Sequence, residues 1–366
     1  MNVTLVRPRE LGSAERRLWR QMLRQDGATG GNPFLAPEFT IAVDRVRDTA
    51  RVAVLEDPSG VLGFFPHERR GHRLGAAIGT AIGAGISDCQ ALIHAPGLQW
   101  DARELVRGCG LPVWEFDHLV AAQEPFAPYH TAVTASPVMN LADGFDAYLR
   151  ARSRHTSAIR TAQRKMRKLE REQGELTFEF DCVDPAVMQT LMRWKSDQYR
   201  RTRAHDTFGS GWIVQVVTGL RHSRQPGCTG TLSVLRAGHR PIAVHFGLRS
   251  ERVLSYWFPA YDPDLARYSP GLVLLLRMAE EAARRGITQV DLGRGRQRYK
   301  DEFASGEVRV AQGRVGVSRT VSAARRTGAA LHSGVSWTLE RRALRPVKQL
   351  AKRARGSLSG RGVHGG

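Results

Sequence analysis

Toward the end of the chain, Asp291-Leu-Gly293-Arg-Gly295-Arg-Gln-Arg-Tyr299-Lys300 gathers three reactive side chains in one short stretch. A tyrosine there can hand a proton to a departing group, and an adjacent lysine can neutralise a developing anion. The stretch closes a strand pattern, ITQVDLG, at the end where open α/β sheets place ligands. Gly293 and Gly295 permit a sharp turn with exposed backbone. The third glycine and the later acid of a dinucleotide fingerprint are missing. As ordinary structure, the same residues would be a glycine-rich turn carrying surface charge.

A second feature lies upstream. Tyr268-Ser269-Pro270-Gly271 opens a helical pattern, and a helix start offers unpaired N–H groups and a positive dipole end to an anion. Ser269 is expected to cap, Pro270 to fit the first turn, and Gly271 to allow close backbone approach, with Arg267 adding charge. An ordinary capped helix would look the same. Just before it, VLSYWFPAY reads as a strand whose pairing is expected to fail at Pro259, freeing backbone N–H groups to polarise a carbonyl. Tyr256, Trp257, Phe258 and Tyr261 are candidates to line a pocket, Tyr261 as a substrate contact. His245, on the preceding strand, and Asp88 and Asp117 (beside His118) are weaker candidates for substrate contact. HExxH, Walker and GxSxG motifs are absent, and no cysteine pair among 89, 109, 182 and 228 has metal or redox spacing. No metal is expected.

The elements that must hold these residues follow a repeating order. The first half reads as strand (2–7), helix (13–25, with Ser13 as cap), helix (from Pro37), a hairpin around 58–60, a helix ended by Gly110, and the strand LPVWEFDHL. A single long basic helix is expected over 144–173, ended by Gly174. The second half reads as strand, two helices (185–203 and 211–222), a three-strand meander, helix, strand and short helix. Alternating helices and strands point to an α/β (α+β) fold with mixed sheets flanked by helices. A boundary near 140 divides the chain into 1–140, 141–315 and a basic tail, 316–366.

The chain has 366 residues, with 55 Lys+Arg against 35 Asp+Glu and a net charge of +20. Apolar residues make up 42% and charged residues 25%, which excludes wholesale disorder and a polytopic membrane protein. About half of the charge excess sits beyond residue 318, where Val347, Leu350, Ala351 and Ala354 keep helical spacing among lysines and arginines. The N-terminus lacks the apolar core of a signal peptide, so a cytoplasmic location is expected, with contact at the inner membrane surface. The tail and the basic stretch 150–171 are candidates for weak contact with an anionic surface, membrane or tRNA.

Taken together, the second half resembles the GNAT acyltransferase superfamily. More narrowly, AVHFGLRSERVLSYWFPAYDPDLARYSPG and DLGRGRQRYKDEFASGE look like CelD-type acetyltransferases of cellulose and exopolysaccharide biosynthesis. Those are relatives of the FemAB aminoacyl transferases, which carry two GNAT-like domains in tandem. The resemblance runs from about Phe34 to Gly313. It implies an acyl-CoA donor, acetyl-CoA or another, with its diphosphate near Ser269–Gly271 and its thioester near the Trp257 strand. It makes Tyr299 the general acid and Lys300 a transferase-site lysine, and it implies a small-molecule or glycan-precursor amine as acceptor, whose proton leaves through water or a carboxylate such as Asp291. The superfamily's glycine-rich phosphate loop is reduced here to Arg267 and Gly271. A FemAB-type aminoacyl-tRNA-dependent transferase and a non-catalytic protein binding through its basic tail are the alternatives.

Overall fold

The computed structural model describes residues 2–27, 30–71, 77–295 and 297–317. The tail from 318 on, with its expected amphipathic segment, lies outside the described residues.

The chain runs through the same element order twice. The first pass is β1 (Asn2–Val6), α1 (Ser13–Gln25), α2 (Pro37–Asp44), β2 (Ala50–Asp57), β3 (Gly60–Arg70), β4 (Ile78–Ala81), the two-residue β5 (Ile93–His94), α3 (Ala102–Gly108), β6 (Val113–Val120) and β7 (His130–Asn140). After α4 (Phe145–His155) and α5 (Ala158–Gln173), the second pass is β8 (Leu176–Glu179), α6 (Pro185–Thr202), α7 (Gly211–Arg221), the short β9 (Arg224–Gln225), β10 (Cys228–Ala237), β11 (Arg240–Arg249), β12 (Val253–Tyr261), α8 (Pro270–Arg284), β13 (Gln289–Asp291), α9 (Arg298–Phe303) and β14 (Gly306–Gly316). In each pass the strands pair antiparallel until the last crossover through a helix, which is parallel: β4 with β6, and β12 with β13. A helical crossover brings the chain back to the same end of the sheet, so parallel pairing there is what the connection dictates.

The two passes share one mixed sheet, ordered β1-β2-β3-β4-β6-β14-β7-β13-β12-β11-β10-β8. The final strands are exchanged. β7 pairs with β13 of the second pass, and β14 fills the gap between β6 and β7. One core lies between the passes, where α1, α2, α6 and α7 bury Trp19, Phe39, Leu191 and Val217, and the Pro33–Leu35 turn buries Phe34, together with Trp257 and Phe258. α3 covers the other face of the first pass, and α4 and α8 the other face of the second. At about 1.5–3 kcal/mol for each large apolar side chain buried, these clusters fix which face of every strand points where.

Two expectations change. The long basic helix is two helices, because Thr156 is extended (φ −147°) and its hydroxyl accepts the N–H of Ala158, opening α5 afresh. The residue in the cap position of α1 is Gly12 rather than Ser13. Among the described residues, no helix is long and apolar enough to cross a membrane.

Candidate active site

β12 and β13 pair only through Val253–Ser255 and Gln289–Asp291. From Tyr256 on, that edge of β12 parts from its neighbour. Its other edge stays paired with β11 as far as Tyr261, with Pro259 opposite His245. The break therefore opens toward β13 at Tyr256, not at Pro259; a proline removes one donor without ending a ladder. A bulge accompanies the opening: Gly247 stands across from both Tyr256 and Trp257. A Cβ on Gly247 would come within 2.1 Å of the Ser255 carbonyl, so the bulge requires glycine. The extra residue turns Trp257 and Phe258 together toward α6, their rings stacked at 4.4 Å, and leaves Tyr256 facing α8.

A cavity of about 390 Å³ occupies the opening, within the usual range for a small-molecule site. It is lined by Asp88, Tyr256, Trp257, Tyr261, Ser269, Gly271, Tyr299 and Lys300, all named from sequence, and by Lys195, Gln198, Gly293 and Arg294, which were not singled out as contacts.

The α8 start forms one end. Ser269 does not cap the helix. It sits in the left-handed region (φ +52°), and its hydroxyl accepts a hydrogen bond from Lys165 Nζ at 2.6 Å. Pro270 has no N–H, and Leu272 already donates to the Ser269 carbonyl, so Gly271 presents the first-turn N–H that helix geometry leaves without an intrahelical acceptor. The Tyr256 hydroxyl donates to the Gly271 carbonyl at 3.4 Å, and a Cβ on Gly271 would stand 3.3 Å from the Tyr261 ring. Arg267 does not join them. Its guanidinium lies 4.6 Å over the Tyr268 ring, beside Glu172, and outside the cavity. The cation at this helix start is Lys165, from α5.

The turn after β13 forms the other end. Gly293 adopts φ +74°, and a Cβ there would lie 3.5 Å from Asp88 Oδ2 and 3.7 Å from Lys300 Nζ. Both charged groups thus flank the same bare backbone. Lys300 donates to the carbonyls of Gly293 (2.9 Å) and Arg294 (3.1 Å), fixing the turn. Burial pushes the Tyr299 phenol up to about 12, so it stays protonated across physiological pH and is suited to give a proton rather than take one.

Asp291 serves the turn from beneath and does not line the cavity. One carboxylate oxygen accepts from Ser136 Oγ (2.8 Å) and the Gly293 N–H (2.9 Å). The carboxylate on the wall is Asp88. Its loop is pinned by Trp257 Nε1, which donates to the Ile86 carbonyl at 3.0 Å. Burial raises the Asp88 pKa. Behind it, His118 Nε2 is 3.9 Å from Asp88 Oδ1, and His118 Nδ1 is 3.2 Å from Asp117 Oδ1. Asp117 is held by Gln90 Nε2 at 2.6 Å and stands behind the wall, not on it. His245 is also no contact residue: it is wholly buried, stacks on Tyr256 at 4.7 Å, and burial pushes it down to about 3. Phe258 packs on Phe208, away from the opening. Among the described residues, no three His, Cys, Asp or Glu side chains are grouped as metal ligands.

Lys195 is the group that sequence reading passed over. It follows Val187 and Leu191 at four-residue spacing on the buried stripe of α6, where an apolar residue is the rule. That spacing was its one signal. Its ammonium donates to Gln198 Oε1 (3.2 Å) and lies 4.9 Å over the Tyr199 ring. Burial, then repulsion from Lys300, lowers its pKa to about 8.

Residues 156–301 match the model of the acetyltransferase (GNAT) domain family. By sequence, none of the curated proteins matches the chain. Among solved structures, FemX superposes with a TM-score of 0.60 at 8% identity, covering 87% of this chain and 97% of FemX. A conserved protein of unknown function from Bacteroides thetaiotaomicron gives 0.53 at 10% identity, covering 83% and 98%. The C-terminal domain of a protein named as a lysylphosphatidylglycerol synthetase, from Agrobacterium fabrum, gives 0.51 at 14% identity, covering 87% and 97%. The fold is therefore a mixed α/β architecture shared with these structures over most of the chain, and the GNAT acetyltransferase domain match covers the residues that carry the cavity wall apart from Asp88.

Proposed function

We propose that the chain is an acyl-CoA-dependent N-acyltransferase of the CelD type. In this reading it transfers an acetyl group, in the cytoplasm or at the inner membrane surface, to an amine of a sugar or cell-envelope precursor. The observation that carries the proposal is the shared cavity: the split between β12 and β13 opens onto the α8 start at one end and onto Tyr299 at the other. The matching helix in the first pass lacks such a start. Asp101 caps α3 by accepting from the N–H groups of Arg103 and Glu104, so a carboxylate already occupies the place an anion would take. A division of labour follows, in which 1–140 supplies Asp88 and support while 141–315 supplies the chemistry.

In this mechanism the Gly271 N–H and Lys165 hold the donor's diphosphate, and the unpaired edge of β12 polarises the thioester carbonyl. The acceptor amine gives up its extra proton to Asp88, which His118 backs, and then attacks the carbonyl carbon. The C–S bond breaks as the C–N bond forms, and the nitrogen sheds its second proton to water. Tyr299 donates its phenolic proton to the leaving thiolate and recovers one from solvent, while the Lys300 ammonium offsets the negative charge that develops. Titration of the full chain with acetyl-, butyryl- and longer acyl-CoAs tests the reading. Saturable binding is expected; no heat and no thermal protection with any of them would remove it.

One observation favours a second reading. Arg160, Arg164, Arg167, Lys168 and Arg171 are exposed on α5 around Lys165, forming a basic approach to the α8 start. A larger polyanionic donor, aminoacyl-tRNA, would use that approach through salt-sensitive phosphate contacts. Failure to retain charged tRNA at low salt would dispose of it.

A further inference from the structure

We propose that the acceptor carries an acidic group, a carboxylate or a phosphate ester, on the same molecule as its reacting amine, and that Lys195 with Gln198 receives that group. This rests on the acyltransfer reading and narrows its substrate class.

The starting point is a buried cation to which the described residues offer an amide oxygen and an aromatic ring but no anion. Lys195 is 8% exposed. Its one hydrogen-bond partner is Gln198, and among the described residues it forms no ion pair. An isolated charge is costly in the interior, so buried ammonium groups are ordinarily paired. Among the described residues, the only carboxylate on the cavity wall is Asp88, which faces His118 and Lys300 instead. Of Lys195's three N–H bonds, Gln198 takes one. The open side of the residue is the cavity, so the missing anion has to arrive with a ligand.

Geometry assigns that ligand to the acceptor side. α6 packs on the face of the sheet that carries Trp257 and Phe258, whereas α8 packs on the face that carries Tyr256. The cavity therefore passes through the split sheet, with the α8 start on one face and Lys195 on the other. A donor diphosphate held at Gly271 lies on the α8 face, so the group that reaches Lys195 on the α6 face is assigned to the acceptor.

Charge points the same way. Lys195, Lys300 and Arg294 against Asp88 make the cavity wall net positive. A simple amine, itself cationic before it reacts, would meet that field as a like charge. An amine bearing an acid enters as a zwitterion, its ammonium toward Asp88 and its anion toward Lys195.

Three matched acceptors test the inference on the full chain with acetyl-CoA: glucosamine, glucosamine 6-phosphate and glucosaminuronic acid. They differ only at C6. At least one acidic sugar is expected to exceed glucosamine at least 10-fold in kcat/KM, and which one does so tells phosphate from carboxylate. K195Q is expected to raise KM for the acidic sugar at least 10-fold, leave KM for acetyl-CoA within 3-fold, and erase the preference, with K195R restoring part of it. Glucosamine used as well as both acids, equal losses for all three sugars in K195Q, or no turnover of either acid by a protein that binds acetyl-CoA would overturn the inference. Of these, turnover of glucosamine leaves the acyltransfer reading standing. Absence of any acyl-CoA binding removes that reading, and this inference with it.

Discussion

Replacing Lys195 with methionine separates what this residue does for the fold from what it does in the cavity. In the folded chain its pKa falls from 10.5 to about 8, first through burial and then through Lys300. At about 1.4 kcal/mol per tenfold change in the proton equilibrium, the ammonium costs the native state on the order of 3 kcal/mol below pH 8. The unfolded chain keeps its proton up to 10.5, and the folded chain only to about 8. Between those values the unfolded state binds more protons, so the penalty is relieved as pH rises. Methionine matches the stem in length and suits the Tyr199 ring. It forfeits the bond to Gln198 and the cation–ring contact, each about 1 kcal/mol. Lys195→Met should therefore stabilise the protein by roughly 1–3 kcal/mol at pH 7 and by under about 1 kcal/mol at pH 10. Urea unfolding followed by tryptophan fluorescence at both pH values reads this directly. A loss of stability at pH 7, or an equal gain at both, refutes the idea of an uncompensated buried charge. A residue that weakens the fold yet occupies a cavity is what a stability–function trade-off looks like.

Tyr299→Phe should lower kcat about 100-fold, the low end of what losing a general acid costs, with donor KM little changed. Because burial holds the phenol near 12, the wild-type rate should show no descending limb from Tyr299 below about pH 11; unchanged kcat would move the role elsewhere. Arg267→Ala should leave donor KM within about 3-fold, whereas Lys165→Met should raise it about 5- to 10-fold, since Lys165 and not Arg267 reaches the α8 start. The reverse order would misassign the phosphate end. Ending the chain after Ser305 removes β14 from between β6 and β7, so both passes should lose cooperative unfolding by circular dichroism; a cooperative 1–305 fragment contradicts the exchanged-strand topology.

The meander β10–β12 and helix α8 were legible because each is a strongly patterned local unit with its own turn or cap signals. β7 and β14 were not. β7 carries Pro137 and a largely exposed first half, and β14 slips register at Gly313. Each finds its partners across a large sequence separation, so neither pattern speaks for itself. The break between α4 and α5 was readable in principle, since Thr156 is a standard cap residue; the apolar stripe running on either side masked it. In the cavity, Tyr299, Lys300 and the α8 start were visible as motif residues in one half. Asp88 comes from the other half, and only the tertiary fold sets it against Gly293. Lys195 was hidden for a different reason: a lysine on a helix reads as solvent-facing unless its four-residue spacing from Val187 and Leu191 is weighed above its type.

Whether the α8 start grips a diphosphate can be measured by comparing acetyl-CoA with acetyl-pantetheine, which shares the thioester and arm but lacks the diphosphate. Isothermal titration of the full chain should give at least about tenfold tighter binding for acetyl-CoA, the equivalent of one charge-assisted contact at the helix start. Equal affinities, or binding of neither, would contradict the account.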